Sequence, residues 1–470
     1  MNASTHSLPL ASAYFAHAPS KNASLSQILR SPRSSLTISR QPAVELSTFN
    51  TTADQTAADL PTPTTTEALP ILPKSLILYR AALYWLMFVE GWNDSTAGPL
   101  IPVIRRTYGL NFTIVSMLFV TSAIGFAVGA LLNIHLTDRY GLGKVITACA
   151  IIQMVAYTLI AAALPFPVMC FGYGLCGLTM ALHNAQCNIF TAMLPGNGTS
   201  AMGLLHGFYG IGAMAAPLAA TQFAQLQHWS YFYFISLGLA TFSFASSLYA
   251  FRLQRMEDLL PQASGDIADS EPLVRGNKYK QILSQKQVHL LAAFTLVYVG
   301  AEVTIGGWIV TFLDQLRGGG PSAGYVSSGF FGGITVGRFI LWPVTDWIGK
   351  RRSIYIYGVL AIIFEIIVWR VPNLLTDAVA VALVGLVLGP LYPIVMNVSA
   401  EVLPRWILAG SIGFVASLGQ MGSALFPFLT GLLATNHGVE VLQPLVIGLL
   451  AFMMANWALF LFHTGDRRTD

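Results

Sequence analysis

Two carboxylates in the first long apolar stretch are the residues of this sequence best suited to proton chemistry. Glu90 and Asp94 stand four positions apart, a spacing that places both on one face of a helix. Two such acids repel each other, and burial favours their protonated forms, so that one of them could hold a proton near neutral pH. Asp94 is the deeper of the two and has a counterpart in the second half of the chain, Glu302. We expect proton coupling at Asp94, with Glu90 and Glu302 as further candidates.

Each of these acids also has a structural interpretation. Asp94 could bond backbone groups freed by Gly98, Pro99 and Pro102, which loosen the outer end of its helix. Glu302 could form a hydrogen bond between two helices. An ionisable residue inside an apolar span nevertheless costs ~2.5–3.5 kcal/mol when charged, and such residues normally face a cavity.

Polar and aromatic residues in other apolar stretches are candidates for solute binding. Amides and imidazoles can bond hydroxyl groups, and an aromatic ring can stack on the apolar face of a ring-shaped solute. The alternative for the histidines is packing inside the bundle, and for the aromatic residues it is anchoring at the membrane interface. The candidates are Asn184, His183, Asn188, His206, Trp308, Tyr392, Asn397 and Gln420.

The composition of the chain indicates what class of protein positions these residues. Hydrophobic residues make up 54% of the 470-residue chain and charged residues 10%, with a mean hydropathy of +0.62. A soluble domain carries roughly 25% charge, so composition excludes a soluble enzyme, a nucleic-acid binder and a disordered scaffold. We expect an integral membrane protein that contacts the lipid bilayer and no nucleic acid.

Motifs of enzymes and cofactor sites are missing from the sequence. The match to G-x-G-x-x-G at Gly172–Gly177 lies inside an apolar stretch, with no acid between Asp138 and Glu257, whereas a dinucleotide site needs one ~20 residues on. There is no P-loop, zinc-ligand spacing or Ser/His/Asp elbow, and the four cysteines fit packing. We therefore expect no enzyme, no cofactor and no metal, and no ATP-driven transport.

Twelve apolar stretches are long enough to cross a bilayer as helices, which takes ~17–25 residues each. They span about residues 75–103, 113–135, 145–164, 167–193, 200–225, 229–253, 287–313, 323–343, 353–370, 374–399, 406–435 and 440–463. The sequence thus predicts an all-α membrane protein of two six-helix bundles, 75–253 and 287–464. Residues 1–74 are expected to form a disordered cytosolic tail, 254–286 a cytosolic central loop, and 465–470 a short C-terminal tail.

The distribution of lysine and arginine predicts the orientation. If both termini are cytosolic, the internal loops and the C-terminal tail carry fourteen of these residues and the external loops four. Basic residues are retained on the cytosolic side, so this orientation is favoured. The four external residues are Arg105, Arg106, Arg317 and Arg370.

An internal repeat relates the two halves. At an offset of 208, Gly125, Gly129, Thr137, Asp138 and Gly141 recur as Gly333, Gly337, Thr345, Asp346 and Gly349, and Asp94 recurs as Glu302. At an offset of 210, Gly203, Gly212 and Pro217 recur as Gly413, Gly422 and Pro427. Blocks in one order at nearly one offset indicate duplicated six-helix halves.

These segments resemble a known family. GFAVGALLNIHLTDRYGLGK resembles the loop signature of the major facilitator superfamily, and GGITVGRFILWPVTDWIGKRR its second-half copy. GWNDSTAGPLIP, HGFYGIGAMAAP, YVGAEVTIGGWIV and GPLYPIVMN are similar to the fungal branch of the fucose-permease-like transporters, the bypass-of-stop-codon group. The resemblance implies alternating access around a midplane site, usually driven by protons. Related fucose permeases have a second carboxylate in the fourth helix, where this sequence has Asn184.

The same resemblance implies a conformational latch on the cytosolic face. Its residues are Asp138 and Arg139 in the first signature, and Arg338, Asp346 and Arg351 in the second. We expect Arg338 to reach toward Asp346 by extending its side chain. The alternative is that the basic residues only set the topology.

We therefore expect a monomeric secondary active transporter that moves a small hydroxylated organic solute, such as a sugar, together with protons. The plasma membrane is favoured over the vacuole or another organelle. Efflux of a fungal secondary metabolite is the alternative within this class, since the fourth-helix carboxylate is missing. A nutrient sensor that binds without transporting is the alternative outside it.

Overall fold

The computed structural model describes residues 74–194, 198–260 and 278–464. The predicted tail, apart from Lys74, lies outside these residues, as do the middle of the predicted central loop and the C-terminal tail 465–470. Every regular element in the described ranges is helical.

Eighteen α-helices follow one another along the described chain. They are α1 Lys74–Ser95, α2 Ala97–Tyr108, α3 Phe112–Val115, α4 Met117–Tyr140, α5 Leu142–Ala161, α6 Phe166–Met193, α7 Gly198–Phe223, α8 Phe232–Phe251, α9 Met256–Leu259, α10 Lys278–Ser284, α11 Lys286–Leu316, α12 Gly324–Ile340, α13 Trp342–Ile348, α14 Lys350–Arg370, α15 Leu374–Leu388, α16 Leu391–Val402, α17 Arg405–His437 and α18 Leu442–Thr464. Short 3₁₀ turns precede α8, α12 and α18.

Ten helical stretches in the described residues are long and apolar enough to cross a membrane. Two further predicted spans are interrupted: α1 gives way to α2 at Thr96, and α12 gives way to α13 at Leu341. Counting these two, the twelve-span architecture is confirmed. Arg105 and Arg106, predicted in an external loop, lie instead in the last turn of α2, where the helix macrodipole favours cations.

Glycines at repeat-related positions show the relation between the halves. A Cβ on Gly125 would overlap the carbonyl oxygen of Gly174 on α6, and one on Gly333 would overlap that of Ala382 on α15. Gly174 and Ala382 are themselves 208 positions apart. The second and fourth spans of each half therefore cross at the same place, with backbones close enough to exclude any side chain.

The first and fifth spans cross in the same repeated way. A Cβ on Gly212 would overlap the carbonyl oxygen of Phe88 on α1, and one on Gly422 that of Leu296 on α11. The turns after the second and eighth spans also correspond, because Gly141 and Gly349 have φ values of 84° and 93°. Only glycine adopts such values readily.

The surface of the bundle is apolar. Leu131, Trp347 and Phe462 are 83%, 87% and 81% exposed, while Trp457 and Phe294 are buried. Large exposed apolar side chains on so many helices are stable against lipid and costly in water. The protein is a multi-pass integral membrane protein.

The two halves pack against each other along α7 and α12, and they also meet at one end of the bundle, which we call the closed end. There Gly98 crosses Gly306 without room for a Cβ, and Thr113 Oγ1 lies 2.8 Å from Thr435 Oγ1. We call the opposite end the open end, because the principal contacts of α13 and α16 there are with helices of their own half.

Candidate functional site

A small cavity with both apolar and ionisable lining residues lies between the halves. Its volume is about 20 Å³, enough for a water molecule. Helices of both halves contribute to it, and both repeat-related acids face it. The lining residues are Asp94, Ala97, Phe119, Tyr209, Glu302, Val303, Gly307 and Phe331.

The break in the first span positions Asp94. Ser95 and Thr96 donate side-chain hydrogen bonds to the carbonyls of Gly91 and Trp92, at 3.1 and 2.6 Å. Such back-bonding often bends helices, and Pro99 then occupies the first turn of α2, where proline is tolerated. Asp94 therefore lies in the last turn of α1, beside the interruption that separates α1 from α2.

Asp94 combines an exposed side chain with a position inside the bundle. Its accessible surface faces the cavity, since the carboxylate lines that space. The hydroxyl of Tyr209 on α7 donates to its Oδ2 at 2.5 Å. Asp94 is thus a carboxyl group that water can reach and that one protein donor orients.

Glu302 faces the same cavity from the other half. It lies on α11, is half-buried, and interacts electrostatically with the guanidinium of Arg338 on α12 and with Tyr298. Asp94 and Glu302 also act on each other electrostatically. Two carboxyl groups and one cation therefore share the centre of the protein.

Glu90 is not part of this cavity. Its Oε1 lies 2.9 Å from Nδ1 of His183 on α6, and both side chains are 1% exposed. The Nε2 of His183 lies 3.2 Å from the carbonyl oxygen of Ile146 on α5. A carbonyl only accepts, so Nε2 must carry a hydrogen. Nδ1 and Oε1 then share one proton, whether as imidazolium and carboxylate or as imidazole and carboxylic acid, and the pair is neutral in both forms.

The other polar residues of the fourth span bond within the first half. Asn188 donates its amide to the carbonyl and side-chain oxygens of Asn184, at 2.8 and 2.7 Å, and both are half-buried. Gln186 donates to Asn133 and Thr137 on α4, at 2.7 and 2.6 Å. These bonds join α6 to α4 beside the open end.

The aromatic candidates fall into two places. Trp308 is 0% exposed, donates its Nε1 to the carbonyl of Pro427 at 3.0 Å, and packs edge-on against Phe112 of the other half. It therefore belongs to the closed end. Tyr392 is half-buried and lies beside Tyr298, with ring centroids 6.2 Å apart.

The remaining candidates, His206, Asn397 and Gln420, occupy half-buried positions. His206 lies on α7, where the charge of Arg338 acts on it. Asn397 and Gln420 lie on α16 and α17. The structure thus spreads the predicted solute-binding residues over both halves.

The predicted latch residues do not all lie together. Asp138, Arg139 and Asp346 are exposed at the open end, whereas Arg338 acts electrostatically on Glu302 and Tyr392. Arg351 is exposed, and its carbonyl accepts a hydrogen bond from Trp457 at 3.1 Å.

Two contributions were missed by reasoning from sequence. Tyr209 lies within the segment HGFYGIGAMAAP, but its spacing gives no sign that it meets a residue 115 positions earlier. Arg255 donates to the carbonyls of Asp138 and Arg139 at 3.2 and 3.1 Å, and so covers the C-terminus of α4. For Arg255, the sequence indicated only that a basic residue follows the sixth span.

The described residues contain no group of three His, Cys, Asp or Glu side chains that could hold a metal ion. Cys149, Cys170, Cys176 and Cys187 are free and buried.

A twelve-span bundle of two repeat-related halves, with an acid from each half facing a cavity between them, is the architecture of a membrane transporter. The chain belongs to the Major Facilitator Superfamily, whose family model matches residues 83–376.

Several known proteins are similar to this chain, each over a different fraction of its length. Bypass of stop codon protein 6 of Saccharomyces cerevisiae is 25% identical over 401 residues, which cover 80% of this chain and 81% of that protein. A glucose/galactose transporter of Brucella abortus biovar 1 is 27% identical over 186 residues, covering 38% of this chain and 44% of the relative. A crystal structure of a bacterial homologue of the human lysosomal transporter Spinster, inward-facing and unoccupied, has a TM-score of 0.68 at 12% identity, covering 83% and 97% of the two chains. This last likeness shows the fold.

Proposed function

We propose that this protein is a proton-coupled secondary transporter that moves a small hydroxylated organic solute, such as a sugar, by alternating access. The observation that carries the proposal is the position of Asp94, which faces a cavity between the halves opposite its repeat partner Glu302. Intramembrane acids at such a place commonly bind substrates or relay protons.

Similarity to sugar transporters supports the solute class. The relative from Brucella abortus is named for glucose and galactose. The half-buried amides of Asn184, Asn188, Asn397 and Gln420, with the ring of Tyr392, offer donors, acceptors and a stacking surface that suit a hydroxylated ring.

Proton coupling is assigned to Asp94, with Glu302 as its partner. A coupling group must exchange its proton with water as the protein cycles, and Asp94 has an accessible side chain. Glu90, in contrast, is sealed with His183 in a pair that already holds its one proton. We therefore assign Glu90 and His183 to holding α1 against α6.

The predicted orientation indicates which side of the membrane each end of the bundle faces. With both termini in the cytosol, the first span runs outward, so the closed end formed by Gly98, Thr113 and Thr435 faces outside. The open end then faces the cytosol, and solute in this state exchanges with the cell interior. Asp138, Arg139, Asp346 and Arg351 lie at the open end, where they would pair when it closes.

The test is uptake into proteoliposomes that contain the purified full-length protein, with the outside more acidic than the lumen. Labelled glucose, galactose, a polyol and a sugar acid are offered to the wild type, to Asp94→Asn and to Glu440→Gln. Glu440 is an exposed acid at the closed end and serves as the matched control.

We expect gradient-driven accumulation of at least one solute by the wild type and by Glu440→Gln. Asp94→Asn should retain only equilibration down the solute gradient. Equal accumulation by Asp94→Asn would refute its role as the proton carrier. If none of these solutes moves under a gradient of either sense, the proposed coupled transport of hydroxylated solutes is wrong, whereas movement only under the reversed gradient would establish efflux.

A further inference from the structure

Arg338 is a cation inside the bundle that lacks a protein partner for its buried nitrogen. Among the described residues, its Nε is buried without a hydrogen-bond acceptor. In the part of the chain that the structure describes, Glu90, Asp377 and Glu401 each pair with a basic residue, and these pairs lie elsewhere in the fold. A guanidinium carries five donors in a planar fork, and burying them without acceptors is costly.

The helix face that carries Arg338 leads away from the cavity. Phe331, Thr335 and Arg338 are spaced by four and three positions, so they share one face of α12. Phe331 lines the cavity, and Thr335 lies against Gly210 of α7. Arg338 therefore follows next on the same face, between the cavity and the open end.

Groups from several helices converge on this arginine. Its charge acts on one acid, three phenols and one imidazole, and these come from both halves of the protein. They are Glu302, Tyr298, Tyr392, Tyr209 and His206. Asp94 lies on the far side of Tyr209, to which it is bonded. The phenols can donate to an oxygen-rich ligand, while Glu302 is an acid of the C-terminal half on which the charge of Arg338 acts.

We propose that the transported solute carries a carboxylate, and that the guanidinium of Arg338 binds it. This rests on the proposed transport function and narrows its solute class to hydroxylated acids such as sugar acids. An arginine fork matches a carboxylate with two parallel hydrogen bonds. The hydroxyls of the solute would then face the phenols and the half-buried amides.

Binding of such an anion also has a consequence for Glu302. Without solute, Glu302 supplies the negative charge that balances Arg338. When the solute carboxylate takes this place, a further negative charge beside it is unfavourable, and the pair of Asp94 and Glu302 takes up one proton from water, the same proton that the proposed function assigns to Asp94. No other bond is made or broken. One anion and one proton then cross together, and the step carries no net charge.

The experiment measures binding of D-glucuronate, D-gluconate and D-glucose to the purified protein by titration calorimetry. Glucuronate differs from glucose in carrying a carboxylate at one carbon, so the two form a matched pair of probes. The variants are Arg338→Gln, Arg338→Lys and, as control, Arg352→Gln, which changes an exposed arginine of α14.

We expect at least one sugar acid to bind more tightly than glucose. Arg338→Gln should weaken this binding at least about tenfold, because a charged hydrogen bond contributes ~1.5–3 kcal/mol. Arg338→Lys should recover part of the affinity, since lysine keeps the charge and loses the fork. Arg352→Gln should bind like the wild type. The fluorescence of the native tryptophans on heating shows whether each variant is folded.

Two outcomes would overturn the inference. One is glucose binding that exceeds sugar-acid binding, and the other is sugar-acid binding that Arg338→Gln leaves unchanged. If glucose is also accumulated in proteoliposomes, the transport proposal survives alone. If a sugar acid binds through Arg338 but does not cross the membrane, Arg338 stands as a carboxylate-binding group, while the claim that the acid is transported fails together with the transport proposal.

Discussion

Tyr209 donates its hydroxyl to the carboxylate of Asp94 at 2.5 Å, and this contact joins the fifth span to the first. Both residues line the central cavity. Because Asp94 lies in the last turn of α1, just before α2 begins, a single bond fixes the acid at the point where the first span is interrupted. The proposed proton carrier is thereby held by the helix that also crosses α12 of the other half.

Tyr209→Phe should lower gradient-driven uptake roughly tenfold while leaving the protein folded. The change removes one hydroxyl and its bond to a charged acceptor, which contributes ~1.5–3 kcal/mol. Initial uptake rates with and without a pH gradient give the measurement. Tyr84→Phe is the control, because its hydroxyl makes a long, 3.5 Å bond to the carbonyl of Ala201 away from the cavity. Unchanged coupling in Tyr209→Phe would remove Tyr209 from the mechanism.

Glu90→Gln should preserve coupled transport, because the glutamine amide can donate to Nδ1 of His183 as a protonated Glu90 would. Glu90→Ala should instead reduce thermal stability, since it leaves a buried imidazole nitrogen without its partner, at a cost of ~1–3 kcal/mol. Uptake and melting temperature are measured for both. Loss of coupling in a folded Glu90→Gln would mean that Glu90 itself releases the transported proton.

Gly212→Ala should lower the melting temperature or prevent folding, because its Cβ would overlap the carbonyl of Phe88. Overpacking of this kind costs typically ~1–3 kcal/mol. Gly203→Ala, on the same helix, is the matched control: a Cβ there meets nothing within 4 Å. Alanine is the better helix former by ~1 kcal/mol, so the control should be neutral or stabilising. Similar melting by both variants would argue against a tight crossing of α1 and α7.

Thr113→Cys combined with Thr435→Cys should form a disulfide on mild oxidation, since the native hydroxyls are 2.8 Å apart. The bond would keep the closed end shut, stop the transport cycle, and release it on reduction. Each single cysteine variant is a control, and the four native cysteines are buried. Full transport by the cross-linked protein would show that this end does not need to open.

Hydropathy was sufficient to predict the twelve spans because each one is a local property of about twenty residues. The repeat was likewise readable, since a backbone crossing without room for a Cβ demands glycine at each copy, as at Gly125 and Gly333. The break between α1 and α2 had a partial signal in Gly98, Pro99 and Pro102. The sequence did not show that the break begins at Ser95 and Thr96, because that depends on back-bonding to Gly91 and Trp92.

The partners of the ionisable residues were the least predictable feature. Glu90 and Asp94 lie on the same helix and were both predicted as candidates for proton coupling. In the structure Glu90 is buried against His183, 93 positions away, whereas Asp94 faces the cavity. Arg338 stands within the second-half loop signature, but in the structure its charge, on α12, acts on Glu302 of α11. Such pairings depend on how helices rotate against one another, and no local pattern records that rotation.

The closed end has a consequence for direction. Hydrogen bonds join the halves there between Thr113 and Thr435, between Gln222 and Tyr325, and from Gln225 to the carbonyl of Pro321. At a net ~0.5–1.5 kcal/mol each, these bonds together contribute only a few kcal/mol. A tenfold difference in proton concentration supplies ~1.4 kcal/mol per proton. These bonds affect how fast the closed end opens, whereas under the proposed proton coupling the combined gradients of solute and protons set the direction of net movement, which reverses when they reverse.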